Sequence, residues 1–326
     1  MTSSTAQTAV RKFGRNGLGV ALSVLIVAGV GAALWHLLRD VDVGKVIAAF
    51  TAQPIRNIAI AGVFVVLGYG TLTFYDVFAL HVIDRRTVPF HVAALASFTS
   101  YTIGHSLGAA TLTGAVVRLR VYSAWGLNVL DITKIAFVTG MTFWLGNAVV
   151  LGGAIIYAPE AAGVVDHLPP WINRAIGLSA LFGIACYLAW LAPRPRTVGY
   201  ANWKLVLPSV RLTLVQTGIG VMDLCLVTAA MYTLLPQNPA VDFVPVLVIF
   251  VTATLLGTVS HVPGSLGVIE AALLIGLPQF PKEELLAALL TFRFAYFVIP
   301  FLLATLVLGL RELGLLAHPR LTSPPS

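Results

Sequence analysis

The feature that most restricts the fold of this chain is a series of long apolar stretches that repeats from one end of the sequence to the other. A helix needs roughly 20 consecutive apolar residues to cross about 30 Å of hydrocarbon. The uninterrupted stretches of this length are 18–38, 57–80, 132–157, 172–192, 210–235 and 285–310. Charged residues make up only 10% of the sequence, whereas about 25% is usual for a soluble domain. Lipid must therefore be the main solvent, and the sequence predicts an all-α polytopic membrane protein.

The first apolar stretch resembles a signal peptide because three basic residues precede it within residues 11–15. The apolar part of a signal peptide is about 7–15 residues long, which is shorter than 18–38. The stretch also ends in an Arg-Asp pair, without a clear small-residue cleavage site. We therefore expect a retained first helix that follows a cytoplasmic N-terminal segment, residues 1–17.

Two further apolar stretches, 91–117 and 243–277, are interrupted near their middles by Gly, Ser, Thr, His or Pro. Basic residues favour the cytoplasmic side of a membrane, and they flank 91–117 on both sides, which places both of its ends in the cytoplasm. The connections at 158–171 and 236–242 contain no Lys or Arg, so both are predicted to be outside. By the same reasoning 243–277 enters from outside and turns back. Each interrupted stretch is therefore predicted to be a re-entrant hairpin.

The two halves of the chain follow the same order of elements, which is helix, helix, re-entrant hairpin, helix. The first membrane repeat covers 18–157 and the second covers 172–311, with an extracytoplasmic connection at 158–171 and a cytoplasmic tail at 312–326. Because each half crosses the membrane an odd number of times, the second half is predicted to be inverted relative to the first. Inverted repeats whose broken helices meet near the bilayer midplane are typical of secondary transporters.

The hairpin tips are the first candidate site, because irregular backbone at membrane depth must be buried by protein or line a wet cavity. Glycine lets a ligand approach the backbone, and the N-terminus of a half-helix attracts anions. A phosphate group is the expected guest. Close helix packing by small residues is the alternative explanation for the glycines. The candidate residues at the two tips are Gly104, His105, Ser106, Gly108, His261, Pro263, Gly264, Ser265 and Gly267.

Ionisable residues within apolar stretches are the second candidate group, since each costs about 2.5–3.5 kcal/mol at the bilayer centre. The group consists of Asp76, Asp223, Glu270 and Arg293. Such residues are expected to face the protein interior and to pair with one another or with a ligand. Arg118 and Arg293 are the candidate phosphate ligands, because the guanidinium fork matches phosphate oxygens, and Glu270 is expected to balance Arg293 in the empty site. The alternatives are an interfacial position for Asp76 and a structural buried pair for Asp223 and Arg293.

Several other classes of chemistry are not expected from this sequence. Cys186 and Cys225 have no nearby Cys or His partner, so neither a disulfide nor a zinc site is predicted. The chain contains no phosphate-binding loop and no hydrolase nucleophile motif. We expect no cofactor, no ATP hydrolysis and no nucleic-acid partner, since the net charge of +7 comes from basic clusters between apolar stretches. His105 and His261 are candidates for proton relay, with a hydrogen-bonded structural role as the alternative.

Two stretches carry a resemblance to a known family, LTGAVVRLRVYSAWGL at 112–127 and SHVPGSLGVIE at 260–270. The chain resembles the transmembrane flippase domain of the bacterial lysyl-phosphatidylglycerol synthase/flippase family, also called the multiple peptide resistance factor. That family has a Thr-Gly-Gly, an Arg and a Tyr-Ser-x-x-Gly-Leu run, then a Pro-Gly-Gly-x-Gly-x-x-Glu run. An Arg in the final helix, here Arg293, also fits. Ala115 and Ser265 stand where the family usually has Gly. The resemblance covers essentially the whole chain.

The resemblance implies translocation of phosphatidylglycerol-type, aminoacylated phospholipid from the inner to the outer leaflet of a bacterial inner membrane, and thereby resistance to antimicrobial peptides. In that family a cytoplasmic C-terminal domain attaches the amino acid. The sequence stops near residue 326, so we expect either a standalone relative or the membrane half of a longer protein. The candidate partners are phospholipid, the bilayer, a separately encoded synthetase and a second copy of the chain. Both termini are expected in the cytoplasm.

Two other functions stay open on the sequence alone. An ion-coupled transporter of a small solute would enclose a water-lined site, whereas a lipid translocase would have a groove that opens sideways to lipid. A membrane subunit of a lipid-modifying enzyme would need a nucleophile beside a base, and no spacing of His105, His261 and Glu270 supports such a pair. Lipid translocation without enzymatic activity is the leading hypothesis.

Overall fold

The computed structural model describes residues 41–107, 110–200 and 203–313, together with residues 35, 38 and 39. The predicted first helix at 18–38 lies outside the described residues, apart from its members Trp35 and Leu38. Gly108 of the first tip also lies outside them, as do residues 1–17 and most of the predicted tail.

Helices make up most of the described chain. Those of the first half are α1 (Val43–Thr51), α2 (Ile55–Val82), α3 (Phe90–Leu107), α4 (Ala110–Tyr122) and α5 (Val129–Tyr157). The start of α5 follows from local chemistry. Asn128 accepts a hydrogen bond from the Asp131 backbone N–H at 3.0 Å, and Asp131 accepts one from the Asn128 N–H at 3.2 Å. This reciprocal cap satisfies amide groups that a helix start otherwise leaves free.

The second half contains more elements than the first. They are α6 (Pro159–Asp166), α7 (Pro170–Leu191), α8 (Val210–Leu234), α9 (Phe243–Ser260), α10 (Val268–Gly276), α11 (Lys282–Arg293) and α12 (Ile299–Glu312). A π-helical segment, Phe294–Val298, joins α11 to α12. Between α7 and α8 lie two antiparallel strands, β1 (Thr197–Tyr200) and β2 (Trp203–Val206).

Six of the described helical segments are long and apolar enough to cross a membrane. They are Ile55–Val82, Val129–Tyr157, Pro170–Leu191, Val210–Leu234, Phe243–Ser260 and Lys282–Arg311. Five of them confirm the uninterrupted apolar stretches predicted after the first helix. Only 11% of the apolar part of α7 is buried inside the protein, against 44–50% in the other five, so α7 lies at the periphery. The chain is an all-α polytopic membrane protein.

Both interrupted stretches form helical hairpins, since α3 packs against α4 and α9 packs against α10. The second hairpin has unequal arms, because α9 has 18 residues and α10 has nine. One expectation about the first tip is wrong. The segment 104–107 was expected to be irregular, but it forms the last turn of α3. A helix tolerates one glycine at a cost of about 1 kcal/mol, and packing against α4 offsets this. The re-entrant path through the membrane stays a prediction.

The two halves pack against each other in a reciprocal way. Helices α2 and α8, which take equivalent places in the two halves, lie against each other. Helix α3 of the first hairpin packs on α12, the last helix of the second half. In the same manner, α9 of the second hairpin packs on α5, the last helix of the first half. This pattern agrees with two structural repeats, while their inverted orientation in the membrane stays a prediction.

Small residues permit the closest helix crossings. A Cβ atom added to Gly146 of α5 would lie 2.6 Å from the Gly220 carbonyl carbon of α8, and one added to Gly220 would lie 2.5 Å from the Thr142 carbonyl oxygen. Gly152 of α5 and Gly177 of α7 face each other in the same way. Because these distances are below any real Cβ contact, glycine is required where α5 crosses α8 and α7. The packing role proposed for membrane glycines therefore holds at these crossings.

Candidate functional site

Asp76 of α2 and Arg118 of α4 form an ion pair in the first half. Arg118 Nη2 donates to Asp76 Oδ1 at 2.8 Å, and Nε donates to Oδ2 at 3.0 Å. The Tyr122 hydroxyl also donates to Asp76 Oδ2, at 2.8 Å. The side chains are 5% and 0% exposed for Arg118 and Asp76. The Asp76 carboxylate is therefore buried in the protein and neutralised by Arg118, as expected for an ionisable residue that faces the interior, while its depth in the membrane stays a prediction.

The Arg118 guanidinium is further enclosed by an aromatic ring. Its Cζ lies 4.7 Å from the centroid of the Tyr101 ring on α3, a distance that allows cation–π attraction. The ion pair thus joins α2 to both arms of the first hairpin. Since the edge of the guanidinium formed by Nε and Nη2 already holds a carboxylate, the first role of Arg118 in this structure is to fix the hairpin.

Arg293 of α11 makes the corresponding contacts in the second half. Its Nη1 donates to the Gly264 carbonyl at 2.7 Å and its Nη2 to the Ser265 carbonyl at 3.2 Å. Nη2 also donates to Glu270 Oε2 at 2.8 Å, and Nε contacts Glu270 Oε1. The structure thus brings Glu270 and Arg293 together at the tip of the second hairpin. Their side chains are 15% and 13% exposed, so this pair is more accessible than the first one.

Glu270 also belongs to the N-terminus of α10. Its Oε2 accepts a hydrogen bond at 2.8 Å from the backbone N–H of Gly267, the residue that precedes the helix. Amide groups at a helix start attract negative charge. The Glu270 carboxylate therefore occupies an anion position that is formed by a helix N-terminus on one side and by Arg293 on the other.

The backbone of the second tip is unusual over residues 261–267. Left-handed φ angles occur at His261 (56°), Gly264 (59°), Ser265 (49°) and Gly267 (80°). Glycine adopts this region without penalty, whereas in other residues the Cβ atom clashes with the backbone there. Ser265 therefore adopts a glycine conformation at a position where the resembled family usually has Gly. These turns direct the Gly264 and Ser265 carbonyls toward Arg293.

The two candidate histidines differ in their surroundings. The His105 ring lies 5.9 Å from the Tyr101 ring in the last turns of α3. His261 is exposed, and its Nδ1 lies 2.8 Å from the Val259 carbonyl. Gly104 is buried and Ser106 is partly buried in the same turn as His105. Pro263 opens the single 3₁₀ turn, Pro263–Ser265, at the second tip.

Asp223 of α8 is buried between the halves without a basic partner among the described residues. The Tyr75 hydroxyl donates to its Oδ2 at 3.1 Å, and Thr71 Oγ1 lies 3.4 Å from its Oδ1. In the Asp76–Arg118 and Glu270–Arg293 pairs, by contrast, each carboxylate is held by an arginine. Asp223 therefore differs from Asp76 and Glu270, and it does not form the pair with Arg293 that was the alternative expectation.

The first hairpin reaches the second tip. Helix α3 lies against the 3₁₀ turn at Pro263–Ser265 and against the π-helical segment that follows Arg293. The Arg293 Cζ lies 5.3 Å from the Phe297 ring of that segment. The structure thus groups Arg293, Glu270 and the second tip beside α3, whereas Arg118 and Asp76 form a separate pair. No group of three or more potential metal ligands occurs among the described residues.

Sequence reasoning missed the aromatic residues that surround the charges. Tyr101 and Tyr122 contact the first ion pair, and Tyr75 binds Asp223. A signal for one of them was present, because Arg118 and Tyr122 are four residues apart and therefore share one helix face. Tyr75 and Tyr101 carry no comparable spacing relative to their partners.

No model of a known protein family matches the sequence, but several proteins are similar to it. The chain is 31% identical over 300 residues to the inner membrane protein YbhN of Escherichia coli, an alignment that covers 90% of this chain and 89% of that protein. It belongs to the YbhN family. An uncharacterised protein of Synechocystis sp. is 30% identical over 319 residues, with 97% of this chain and 96% of that protein aligned.

A more distant similarity extends outside the YbhN-like proteins. The chain is 24% identical over 299 residues to a phosphatidylglycerol lysyltransferase of Staphylococcus haemolyticus. That alignment covers 90% of this chain and 34% of the lysyltransferase. Together with the membrane-spanning helices, the YbhN similarity identifies a membrane protein of the bacterial inner membrane type.

Proposed function

We propose that this protein translocates phospholipids with a phosphatidylglycerol-type headgroup from the inner to the outer leaflet of the bacterial inner membrane. The observation that carries the proposal is the anion position at the second tip. There the Glu270 carboxylate is held by Arg293 and by the Gly267 backbone N–H. Like this carboxylate, a lipid phosphate presents two oxygens that share one negative charge, and it can take the place of the carboxylate on the guanidinium fork.

Exchange between Glu270 and a phosphate is suited to transport because the competing partners are similar. Charge-assisted hydrogen bonds to Arg293 are lost with one anion and regained with the other. The partial exposure of both side chains gives a headgroup access, whereas the Asp76–Arg118 pair is closed. We therefore assign headgroup binding to Arg293 and the second tip. Arg118, with Asp76, holds the first hairpin in place beside them.

The lipid class is supported by the relatives. One of them is named a phosphatidylglycerol lysyltransferase, and the aligned region is about a third of its length. An aminoacylated phosphatidylglycerol retains the phosphate and adds a cationic amine, and Glu270, once displaced from Arg293, is the nearest carboxylate to receive that amine. On this proposal a separately encoded synthetase supplies the lipid, and the outer leaflet gains positive charge that repels cationic antimicrobial peptides. The chain itself acts as a transporter, with both termini in the cytoplasm.

The proposal is tested with purified protein in vesicles that contain a fluorescent phosphatidylglycerol. A membrane-impermeant quencher reports the fraction of labelled lipid in the outer leaflet over time. The wild-type protein is expected to accelerate the exchange between leaflets, and Arg293→Ala is expected to reduce this rate by at least about tenfold, the loss of a charge-assisted contact. Arg311→Ala, at the C-terminal end of the same helical segment, Lys282–Arg311, is the matched control and should retain the rate. Vesicles in which wild-type protein gives no faster exchange than empty vesicles would overturn the proposal.

A further inference from the structure

A buried carboxylate that has no counter-cation among the described residues, that of Asp223, lies near the middle of α8. Asp223 is the fourteenth of the 25 residues of α8, which places it about 20 Å from one end of the helix and about 16 Å from the other at 1.5 Å per residue. Its exposure is 7%. A charge at this depth must be paired, or it must bind a proton or another cation.

The surroundings of Asp223 contain hydroxyl groups and no fixed charge among the described residues. The titratable side chains near enough to feel the charge of Asp223 are Tyr69 and Tyr75 of α2, Tyr101 of α3 and Tyr296 of the π-helical segment. Its own hydrogen-bond partners are Tyr75 and Thr71. In the described chain, none of the helices α5, α7, α9 and α11, which also contact α8, directs a charged side chain at it.

Two hydroxyl groups reach the Asp223 carboxyl. Tyr75 donates to Oδ2 at 3.1 Å, whereas the Thr71 hydroxyl, whose shorter contact is the Gly68 carbonyl at 2.7 Å, reaches Oδ1 at only 3.4 Å. One hydrogen bond and one long contact are poor compensation for a buried negative charge. The site therefore favours the neutral acid over the carboxylate ion.

Aromatic residues connect the surroundings of Asp223 with both ion pairs. Tyr75, which donates to Asp223, meets the Tyr101 ring edge-on at 5.9 Å, and Tyr101 lies under Arg118. Tyr69, on the same helix as Tyr75, donates at 2.9 Å to the carbonyl of Tyr296, three residues after Arg293. This packing links the helix that holds the partners of Asp223 to both hairpins.

We propose that Asp223 is a proton-binding site that couples lipid translocation to the proton gradient across the membrane. This inference rests on the proposed function and adds its source of energy. In one state of the protein the carboxylate takes up a proton from one side of the membrane. In the other state it releases that proton to the opposite side, while the headgroup exchanges with Glu270 on Arg293.

The test uses the steady-state distribution of labelled phosphatidylglycerol between leaflets under an imposed pH gradient. One coupled proton corresponds to about a tenfold shift in the outer-to-inner ratio per pH unit, and the wild-type protein is expected to approach this ratio. The ratio does not depend on how fast a variant works. Asp223→Asn, which mimics the neutral acid, is expected to give the same outer-to-inner ratio with the pH gradient as without it. Glu160→Gln on the exposed face of α6 is the control and should respond like the wild type.

The opposite results are equally clear. A wild-type protein that moves lipid but ignores the pH gradient, or follows a sodium gradient instead, would overturn the coupling. So would an Asp223→Asn variant that retains the gradient response.

If wild-type protein moves no lipid, the proposed function fails, and infrared spectroscopy then decides separately whether Asp223 binds a proton. A carboxylic acid C=O band that is lost in Asp223→Asn but kept in Glu160→Gln would support Asp223 as the proton-binding site. The same pair of spectra would decide the matter if Asp223→Asn moved no lipid. The absence of such a band between about pH 5 and 8 would overturn it.

Discussion

Asp76 and Arg118 are 42 residues apart in the chain, and their side chains meet in a two-pronged ion pair that is closed to solvent. The pair connects α2 to α4 and, through the Tyr101 ring, to α3. It is therefore a structural link between the first hairpin and the central helix α2, and its energetics differ from those of an exposed pair.

Removal of one partner from this pair should be far more damaging than removal of both. Asp76→Ala leaves the Arg118 charge buried and unpaired, which costs roughly 3–5 kcal/mol in comparable pairs. The double variant Asp76→Leu/Arg118→Met replaces both charges by apolar groups and should recover most of that loss. Unfolding in detergent, followed by circular dichroism during heating or titration with sodium dodecyl sulfate, measures both.

Arg86→Ala provides the control for the ion pair, because the Arg86 side chain is 64% exposed and its contact with Asp84 measures 3.8 Å. Exposed pairs of this kind contribute about 0–1 kcal/mol, so this variant should unfold close to the wild type. Equal destabilisation by Asp76→Ala and by the double variant would contradict this account, because the loss of stability could then not come from an unpaired Arg118 charge.

The membrane helices could be predicted from the sequence because their length is set by the bilayer. The stretch predicted at 57–80 is the helix Ile55–Val82, and that predicted at 210–235 is Val210–Leu234. The two strands and the short helices α1 and α6 were not predicted, because segments of four to nine residues in polar connections carry no comparable length signal. Their formation depends on neighbours that are distant in sequence.

The charged residues of the site were identified from the sequence, but only some of their partners were. The contact between Glu270 and Arg293 was expected because an unpaired charge inside a membrane is costly, so that residues of opposite charge tend to pair there. The partner of Asp76 required knowledge of the hairpin, and the hydroxyl partners of Asp223 required the packing of α2 on α8. The left-handed Ser265 was also not predictable, because side chains other than glycine seldom adopt that conformation.

Glu270 competes with the lipid phosphate in the proposed mechanism, so its charge should control both binding and release. Glu270→Gln keeps the shape of the side chain but removes its negative charge. Phosphatidylglycerol binding is expected to tighten by about tenfold, the equivalent of 1.4 kcal/mol, while translocation slows because the headgroup is no longer displaced from Arg293. Native mass spectrometry measures lipid retention, and the vesicle assay measures the rate.

Glu284→Gln is the matched control for that experiment, because Glu284 is exposed in the first turn of α11. It should alter neither binding nor rate. Weaker lipid binding by Glu270→Gln would show that the carboxylate assists the headgroup, and competition at Arg293 would then be rejected.

Ser265 and Gly257 should show strong coupling in stability. A Cβ atom at Gly257 of α9 would lie 2.3 Å from the Ser265 Oγ and 2.5 Å from its Cβ. Gly257→Ala is therefore expected to destabilise the protein by roughly 1–3 kcal/mol through overpacking. Ser265→Gly removes the clashing atoms and also the left-handed strain, which costs roughly 1–2 kcal/mol for residues with a Cβ. In the Ser265→Gly background, Gly257→Ala should be nearly neutral, and additive effects in the double-mutant cycle would refute this contact.

Two glycines of α8 provide the sharpest test of helix packing, because they are two residues apart and differ only in their surroundings. A Cβ atom at Gly220 would lie 2.5 Å from the Thr142 carbonyl oxygen of α5, whereas nothing lies within 4 Å of one at Gly218. Gly220→Ala must therefore push α8 away from α5 and should cost roughly 1–3 kcal/mol. Gly218→Ala should be neutral or slightly stabilising, since alanine favours helix. Resistance to unfolding by sodium dodecyl sulfate distinguishes the two, and equal values would mean that α5 and α8 are not in backbone contact.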